Sequence, residues 1–385
     1  MEDNVNIFAL DIGTRTIIGL VMEPTNSGFE IIDSEVLEHE NRAMLDGQIH
    51  NVREVARQVE KVKNNLESRL DFSLDKVSLA AAGRALKTVT KEHRIDLTIN
   101  KNITEEDVNR LELSAVQEAQ KDLASINSTE GPGDYHFVGY SVMEYKLEDM
   151  YIGNLIGQKG KSIKVKLIAT FLPRVVIDSL LNVINKVNLE IDYLTLEPIA
   201  ASSIVVPREM YNFNIALIDI GAGTSDIAIT KGGSMIGYGM VPEAGDEITE
   251  VLAENNLLDY NTGEELKRKV FIQDNSVQAK NILGKKVQLE KENCLEIIKP
   301  KVEEIAKLIS DKILEINQKN PQAVICIGGG SMTPFLKEEL SHNLGIDSER
   351  IGIRGIDSLD NIQGDIENIN STQAVTPIGI GKVSY

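Results

Sequence analysis

Two short stretches place an acid, a glycine and hydroxyl groups at a spacing suited to handling phosphate. Asp11-Ile12-Gly13-Thr14-Arg15-Thr16 lies between the apolar runs Ile7–Leu10 and Ile17–Met22. The same device returns as Asp219-Ile220-Gly221-Ala222-Gly223-Thr224, between Ile215–Ile218 and Ile227–Ile229. Small residues let a phosphate approach the backbone, and turn amides form a nest for the anion. Asp11 and Asp219, at strand ends, would face that phosphate. A carboxylate there needs a hard cation beside it, and Mg²⁺ suits the place because it keeps most of its waters and takes one or two carboxylates. A single copy reads better as an ordinary hairpin turn. Two copies opposed across a cleft could clasp β- and γ-phosphates through Gly13, Thr14 and Arg15 on one side and Gly221, Ala222, Gly223 and Thr224 on the other. The plainer alternative is that both aspartates merely cap turns.

Three further groups could complete such a site. Gly328-Gly329-Gly330-Ser331 follows the apolar run Ala323–Ile327 and leaves room for a flat ring or a phosphate near a helix start. It could also be a tight strand–helix connection. Glu197 opens Glu197-Pro198-Ile199-Ala200-Ala201 at the head of an expected helix, where it could orient water toward a γ-phosphate or simply complement the helix dipole. Glu264 and Lys267 sit three apart on one helix face, a spacing typical of a solvated ion pair.

Elements must position these groups. FALDIGTRTIIGLV and ALIDIGAGTSDIAI share strand, Asp-Ile-Gly, turn and strand, an internal repeat of one β-hairpin that fits a bilobal chain. Between the copies, periodicity predicts a helix over Val52–Leu70 and a strand over Lys76–Ala82. It predicts two strands within Arg84–Ile99 and a helix capped by Thr104 that runs to about Leu123. Strands near Phe137–Val142 and Lys164–Leu172 follow the polar stretch around Gly131-Pro132-Gly133, and a helix covers Val175–Lys186. Beyond the second copy, helices are expected over Gly245–Asn255, Thr262–Phe271, Val302–Leu314 and Pro334–Leu344.

Composition narrows the function classes. The chain has 385 residues, enough for two domains, and a formal net charge of -19 that disfavours nucleic acid as a partner. Cys294 and Cys326 stand far apart, so neither a zinc site nor a disulfide framework is expected. There is no apolar run long enough for a transmembrane helix, and Met1–Asn6 carries no basic residue of the kind that opens a secretory signal. The expected compartment is the cytoplasm.

Five motifs in order resemble the superfamily of actin, DnaK-type chaperones and sugar kinases: LDIGT, LEPIAAS, LIDIGAGTSDIAI, CIGGGSMTPF and AVTPIGIG, from Leu10 to Gly381. Within it the chain resembles FtsA-type bacterial cell-division proteins, through AAGRALKTVTKEHRIDL and ITEEDVNRLELSA between the first two motifs, VPEAGDEITE, and GEELKRK. The resemblance implies an α/β, two-lobed actin-like (ribonuclease H-like) ATPase fold with an FtsA-like α+β inserted subdomain. It implies a first lobe of residues 1–82 and 171–205, an insertion over 83–170, and a second lobe over 206–385 whose smaller part is 243–310. It implies ATP and Mg²⁺ as ligands, Asp11 and Asp219 at the metal, Glu197 as the water-orienting group, and slow or absent hydrolysis. Glu264 and Lys267 become contacts to ribose and adenine, and Gly328, Gly329, Gly330 and Ser331 an adenosine loop. Expected partners are further copies of the chain in filaments and an FtsZ-like division protein.

Some residues depart from that pattern. Ala244-Gly245 stands where the family has Gly-Gly, and Arg15-Thr16 where relatives often carry a lysine. The family's membrane-binding C-terminal helix is not expected in residues that end at Tyr385, so membrane attachment would come through another segment or a partner. Two other readings stay open: a PilM-like pilus-assembly relative that binds a partner peptide, and a small-molecule kinase on the same fold.

Overall fold

The computed structural model describes residues 6–83, 85–97, 102–126, 135–272, 275–359, 361–364, 369 and 371–385. Arg84 and the Gly131-Pro132-Gly133 stretch lie outside the described residues.

Two sheets are built to one plan. The first holds β1 (Ile7–Ile12), β2 (Thr16–Thr25), β3 (Gly28–Glu38), β6 (Lys76–Ala81), β11 (Glu190–Leu196) and β19 (Ile362–Gln363), in the order β11-β6-β1-β2-β3-β19. The second holds β12 (Ile215–Ile220), β13 (Ser225–Lys231), β14 (Ser234–Val241), β17 (Ala323–Ile327) and β18 (Ile351–Ile353), ordered β14-β13-β12-β17-β18. In each, an antiparallel three-strand meander continues into two parallel strands. The central strands are apolar runs because they are covered on both faces. A two-residue hairpin, β4 (Met44–Leu45) with β5 (Gln48–Ile49), lies between β3 and α1 (Val52–Leu70).

Helices α1 and α3 (Arg174–Lys186) cover the outer face of the first sheet, burying Val59, Val62, Leu66 and Val183 against Leu10 and Leu79. Asn51 caps α1 by accepting the Glu54 amide at 3.2 Å. On the second sheet, α5 (Gly245–Asn256), α7 (Lys291–Asn317) and α8 (Leu336–Leu344) bury Ile248, Ile305, Ile309 and Leu340. Next to them, α6 (Tyr260–Ile272) leads into the hairpin β15 (Ser276–Lys280) and β16 (Lys286–Glu290).

Between the sheets lie α4 (Glu197–Val205) and α9 (Val375–Ser384). One core joins Ala9, Leu20 and Met22 of the first sheet, Leu217, Ala228 and Ile325 of the second, and Ala200, Ile204, Val375 and Ile378 of these helices. The helices touch backbone to backbone at Gly379, where a Cβ would lie 2.2 Å from the Ala200 carbonyl oxygen.

An α+β block completes the fold. Strands β7 (Lys87–Asp96), β8 (Tyr135–Leu147), β9 (Met150–Ile152) and β10 (Ser162–Pro173) form an antiparallel sheet ordered β7-β10-β8-β9. Helix α2 (Glu105–Ile126) packs on it over a separate core that includes Leu111, Ala115, Val165 and Phe171. Thr104 and Asp107 cap α2 reciprocally, at 3.0 Å and 3.3 Å. The block also reaches the second lobe. The Ser141 and Tyr238 hydroxyls lie 2.7 Å apart, and Ser234 donates to the Met143 carbonyl at 2.6 Å.

Three expected elements differ. Residues 87–96 form one strand rather than two, because their unbroken alternation pairs along its whole length with β10. Helix α7 begins at Lys291 rather than Val302 and runs through Pro300. A proline in a helix loses one hydrogen bond and crowds the preceding turn, but Ile298 and Val302 on either side are fully buried and hold the axis together. Helix α8 starts at Leu336, two residues later than expected, because Phe335 takes a left-handed conformation at φ 70. The glycine run before it makes a short 3-10 turn over Gly329–Met332. Among the described residues no helix is long and apolar enough to cross a membrane. Both cysteines are free and buried.

Candidate nucleotide site

The two repeated turns close in the same way. Gly13 N–H donates to Thr16 O, and Gly221 N–H to Thr224 O, each at 2.9 Å. They also meet. A Cβ on Gly223 would sit 2.8 Å from Thr14 Oγ1 and 3.0 Å from the Asp46 backbone, and Gly47 N–H donates to Thr14 Oγ1 at 3.0 Å. Gly13–Thr14 and Gly221–Thr224 are thus apposed across the junction of the lobes, with the β4–β5 turn wedged beside them.

Behind the turns, four carboxylates converge from four elements: Asp11 on β1, Glu197 at the start of α4, Asp219 on β12 and Asp226 on β13. Asp226 is 1% exposed, whereas the other three are half-buried. Burial, then the charges of Asp219 and Asp226, push Asp11 up to about 7. Burial and Asp219 push Asp226 up to about 7 against the opposing pull of the Gly83 amide and the Thr224 hydroxyl. Asp219 rises to about 6 through burial, moderated by a 2.5 Å hydrogen bond from Thr376 on α9. Glu197 is raised by burial and by Asp226, Asp11 and Asp219 together.

Such a set of oxygens under mutual repulsion fits a hard cation held largely through its own waters. Among the described residues no three His, Cys, Asp or Glu side chains are grouped closely enough to ligate a metal directly. At the first turn, Arg15 Nε and His39 Nδ1 are buried with no hydrogen-bond partner among the described residues. An orphaned guanidinium donor there fits an anion.

The glycine run packs on the second turn. A Cβ on Gly328 (φ +79) would lie 2.4 Å from Asp219 Oδ1, and one on Gly330 2.9 Å from Gly221 O. Gly329 faces Gln373, and Ser331 Oγ donates to Gly328 O at 2.7 Å. Glu264 and Lys267 are 6% and 9% exposed, so their pair is buried rather than solvated. Lys267 Nζ lies 2.7 Å from Glu264 and donates to Gly245 O and Thr249 Oγ1 at 2.8 Å each. Burial alone would raise Glu264, but Lys267, Thr249 and Arg268 hold its pKa at about 2. Gly245 N–H in turn donates to Gly221 O at 3.3 Å, and Asp246 N–H to Ala222 O at 2.7 Å. The expected adenosine loop and the α6 pair therefore both converge on the second turn.

Asp226, Thr376 and Glu38 were not singled out in the sequence. Asp226 had a signal: an acid inside the apolar strand Ser225–Lys231 must find a buried partner. The Gly83 amide supplies it, donating to Asp226 Oδ1 at 2.9 Å, while the register sets Asp226 directly across the hairpin from Asp219. A small cavity of about 50 Å³, lined by Ile12, Met44, Gly47, Ala81, Val175 and Leu180, lies beside this region and includes none of the four carboxylates.

The similarity of the chain to known proteins follows the same line. No family model matches it. Cell division protein FtsA of Escherichia coli (strain K12) is 22% identical over 326 residues, which span 82% of this chain and 74% of that protein. The PilM-PilN type IV pilus biogenesis complex superposes with a TM-score of 0.69 over 99% of both chains, at 14% identity. The fold is that of the actin-like ATPases. MreB5 of Spiroplasma citri bound to ADP has the same actin-like fold, with a TM-score of 0.51 and 13% identity over 97% of this chain and 94% of that one. The likeness to FtsA-type proteins read from the motifs is thus present along most of the chain, and the actin-like fold accounts for the paired sheets around the central helices.

Proposed function

We propose that this chain binds Mg²⁺-ATP between its lobes and acts in bacterial cell division as a polymerising, partner-recruiting protein of FtsA type. The observation that carries the ligand is the apposition of two identically closed glycine turns over four repelling carboxylates. Gly13, Thr14, Arg15 and Gly221–Thr224 would hold the phosphates. Asp11 and Asp219, with Asp226, would hold the cation through water, and Glu197 would orient a water molecule. Glu264, Lys267 and Gly328–Ser331 would hold the nucleoside. Similarity to FtsA supports the division role, with an FtsZ-like protein as the partner and further copies of the chain as neighbours in a filament. We assign residues 1–82 and 171–205 to one lobe, 83–170 to the insertion, and 206–385 to the other lobe, with 243–310 as its smaller part.

A second reading, a pilus-assembly module that captures a partner peptide, is favoured by the likeness to PilM over the full chain. Calorimetric titration with Mg²⁺-ATP, followed by sedimentation with and without nucleotide, tests the first reading. Binding together with nucleotide-dependent pelleting supports it, and absence of binding overturns it. Asp219→Ala should weaken Mg²⁺-ATP binding, and unchanged affinity would remove that residue from the site. Binding of an FtsZ tail peptide against a pilus-protein peptide separates the two partners.

A further inference from the structure

Glu38 ends β3 and meets arginines from both lobes. Its Oε2 accepts from Arg15 of the first turn at 2.9 Å, and its Oε1 accepts from Arg268 of α6 at 2.5 Å. Arg268 Nε also donates to Glu264 Oε1 at 2.8 Å, and Glu264 continues to Lys267 at 2.7 Å. An unbroken chain of charges therefore runs from the first turn, across the cleft mouth, to the buried pair on α6. The adjoining residue secures the same turn. His39 N–H donates to Arg15 O at 3.0 Å, and its ring Nε2 lies 3.1 Å from Gly13 O. A parallel strap stands next to it. Arg42 lies 4.6 Å over the Tyr260 ring and 2.7 Å from Glu250 of α5.

We propose that Glu38 is a positioning residue of the nucleotide site and a latch between the lobes. Its carboxylate, oriented by Arg15 of its own lobe, reaches Arg268 of the other and holds the mouth closed, and a phosphate that draws Arg15 toward itself removes the support that orients it. The proposal rests on the nucleotide reading above for its effect on exchange, but the latch itself is independent of any ligand. Glu38 and Arg268 are 41% and 45% exposed in their side chains, so solvent screens much of the attraction. The strap at Arg42 also remains when Glu38 is changed. Loss of Glu38 should therefore loosen the mouth by a few fold rather than open it fully.

The test is Glu38→Gln, with folding checked by circular dichroism. Mant-labelled ATP with Mg²⁺ should both enter and leave faster, by about threefold at low salt, with little change in Kd. The difference should collapse in high salt, where the wild type loses the same attraction. Arg268→Gln should behave alike, and the double variant should go no further than either single one. In nucleotide-free protein, spin labels on Glu60→Cys and Glu254→Cys should report a broader and longer distance distribution with Glu38→Gln. If the wild type binds no nucleotide, the proposed ligand falls while the distances still judge the latch. Unchanged distances, unchanged exchange rates in a protein that does bind, or additive single variants would each overturn it.

Discussion

Substituting Gly379 and Gly381, two residues apart on α9, should have opposite consequences. A Cβ on Gly379 would lie 2.2 Å from the Ala200 carbonyl oxygen and 2.5 Å from its carbon, both in the backbone of α4. A Cβ on Gly381 would lie 2.5 Å from Met22 Sδ, part of a flexible side chain. A carbon–oxygen contact needs roughly 1 Å more than Gly379 allows, and the α4 backbone is clamped between two sheets. Relieving it means shifting one helix on the other, a displacement that overpacked cores resist by about 1–3 kcal/mol or more. Alanine returns up to about 1 kcal/mol of helix propensity in either place, less in the last turn.

The expected net loss for Gly379→Ala is therefore about 2 kcal/mol, while Gly381→Ala should be close to neutral as Met22 turns aside. Urea unfolding monitored by far-ultraviolet circular dichroism measures both, with the midpoint shift read at constant slope. Equal midpoints, or a larger loss for Gly381→Ala, would refute the view that backbone contact between the two helices sets the spacing of the lobes.

Three further outcomes are expected. Asp226→Asn should stabilise the metal-free protein by about 1–3 kcal/mol above pH 7, because the folded carboxyl titrates near 7 and is costly to ionise. A raised pKa costs stability fully above its folded value and not at all below the unfolded value of 3.8, so the advantage should fade as pH drops from 7 to 4, and a pH-independent gain would count against it. Glu264→Gln should cost about 3 kcal/mol in urea unfolding near pH 7, since it removes the carboxylate directly paired with the buried Lys267. The wild-type contribution, present above pH 4.5, should be lost as pH falls toward 2, and a variant as stable as wild type would sink this account. Gly223→Ala should weaken Mg²⁺-ATP binding while leaving the unfolding midpoint within about 1 kcal/mol of wild type, because its Cβ forces the two turns apart at Thr14 and Asp46. Unaltered affinity would mean that the turns need not touch.

The parts of this fold that were readable share a local cause. Val52–Leu70 was recognisable end to end because its apolar period and its cap at Asn51 coincide. The two hairpins declared themselves by repetition, and the repeat extends to the order of strands in each sheet. The unreadable parts depend on residues far away in the chain. Glu264 and Lys267 look like a surface pair by spacing, and only the packing of α5 over α6, with Thr249 and Gly245 between them, buries them. Asp226 acquires meaning from its register with Asp219. Glu38 joins residues 15 and 268, a contact that no window along the chain contains.

The two copies of the hairpin share a plan but differ where chemistry is expected. Asp11 pairs across its hairpin with Ile18, which is buried in the core between the sheets, whereas Asp219 pairs with Asp226. Cross-strand neighbours lie only about 4.5–5.5 Å apart, so the second hairpin sets two carboxylates side by side, whereas the first carries one and adds Arg15 at its turn. Asp226 also accepts the Gly83 amide at 2.9 Å, at the point where the chain leaves the first sheet for the α+β block. That block returns to the second lobe at β14, the strand paired with the one carrying Asp226. Rotation of one lobe against the other must therefore shear contacts at both ends of the block. A cation of the kind proposed for Asp219 and Asp226 would act on the same strands, which would tie occupancy of the cleft to the seating of the block.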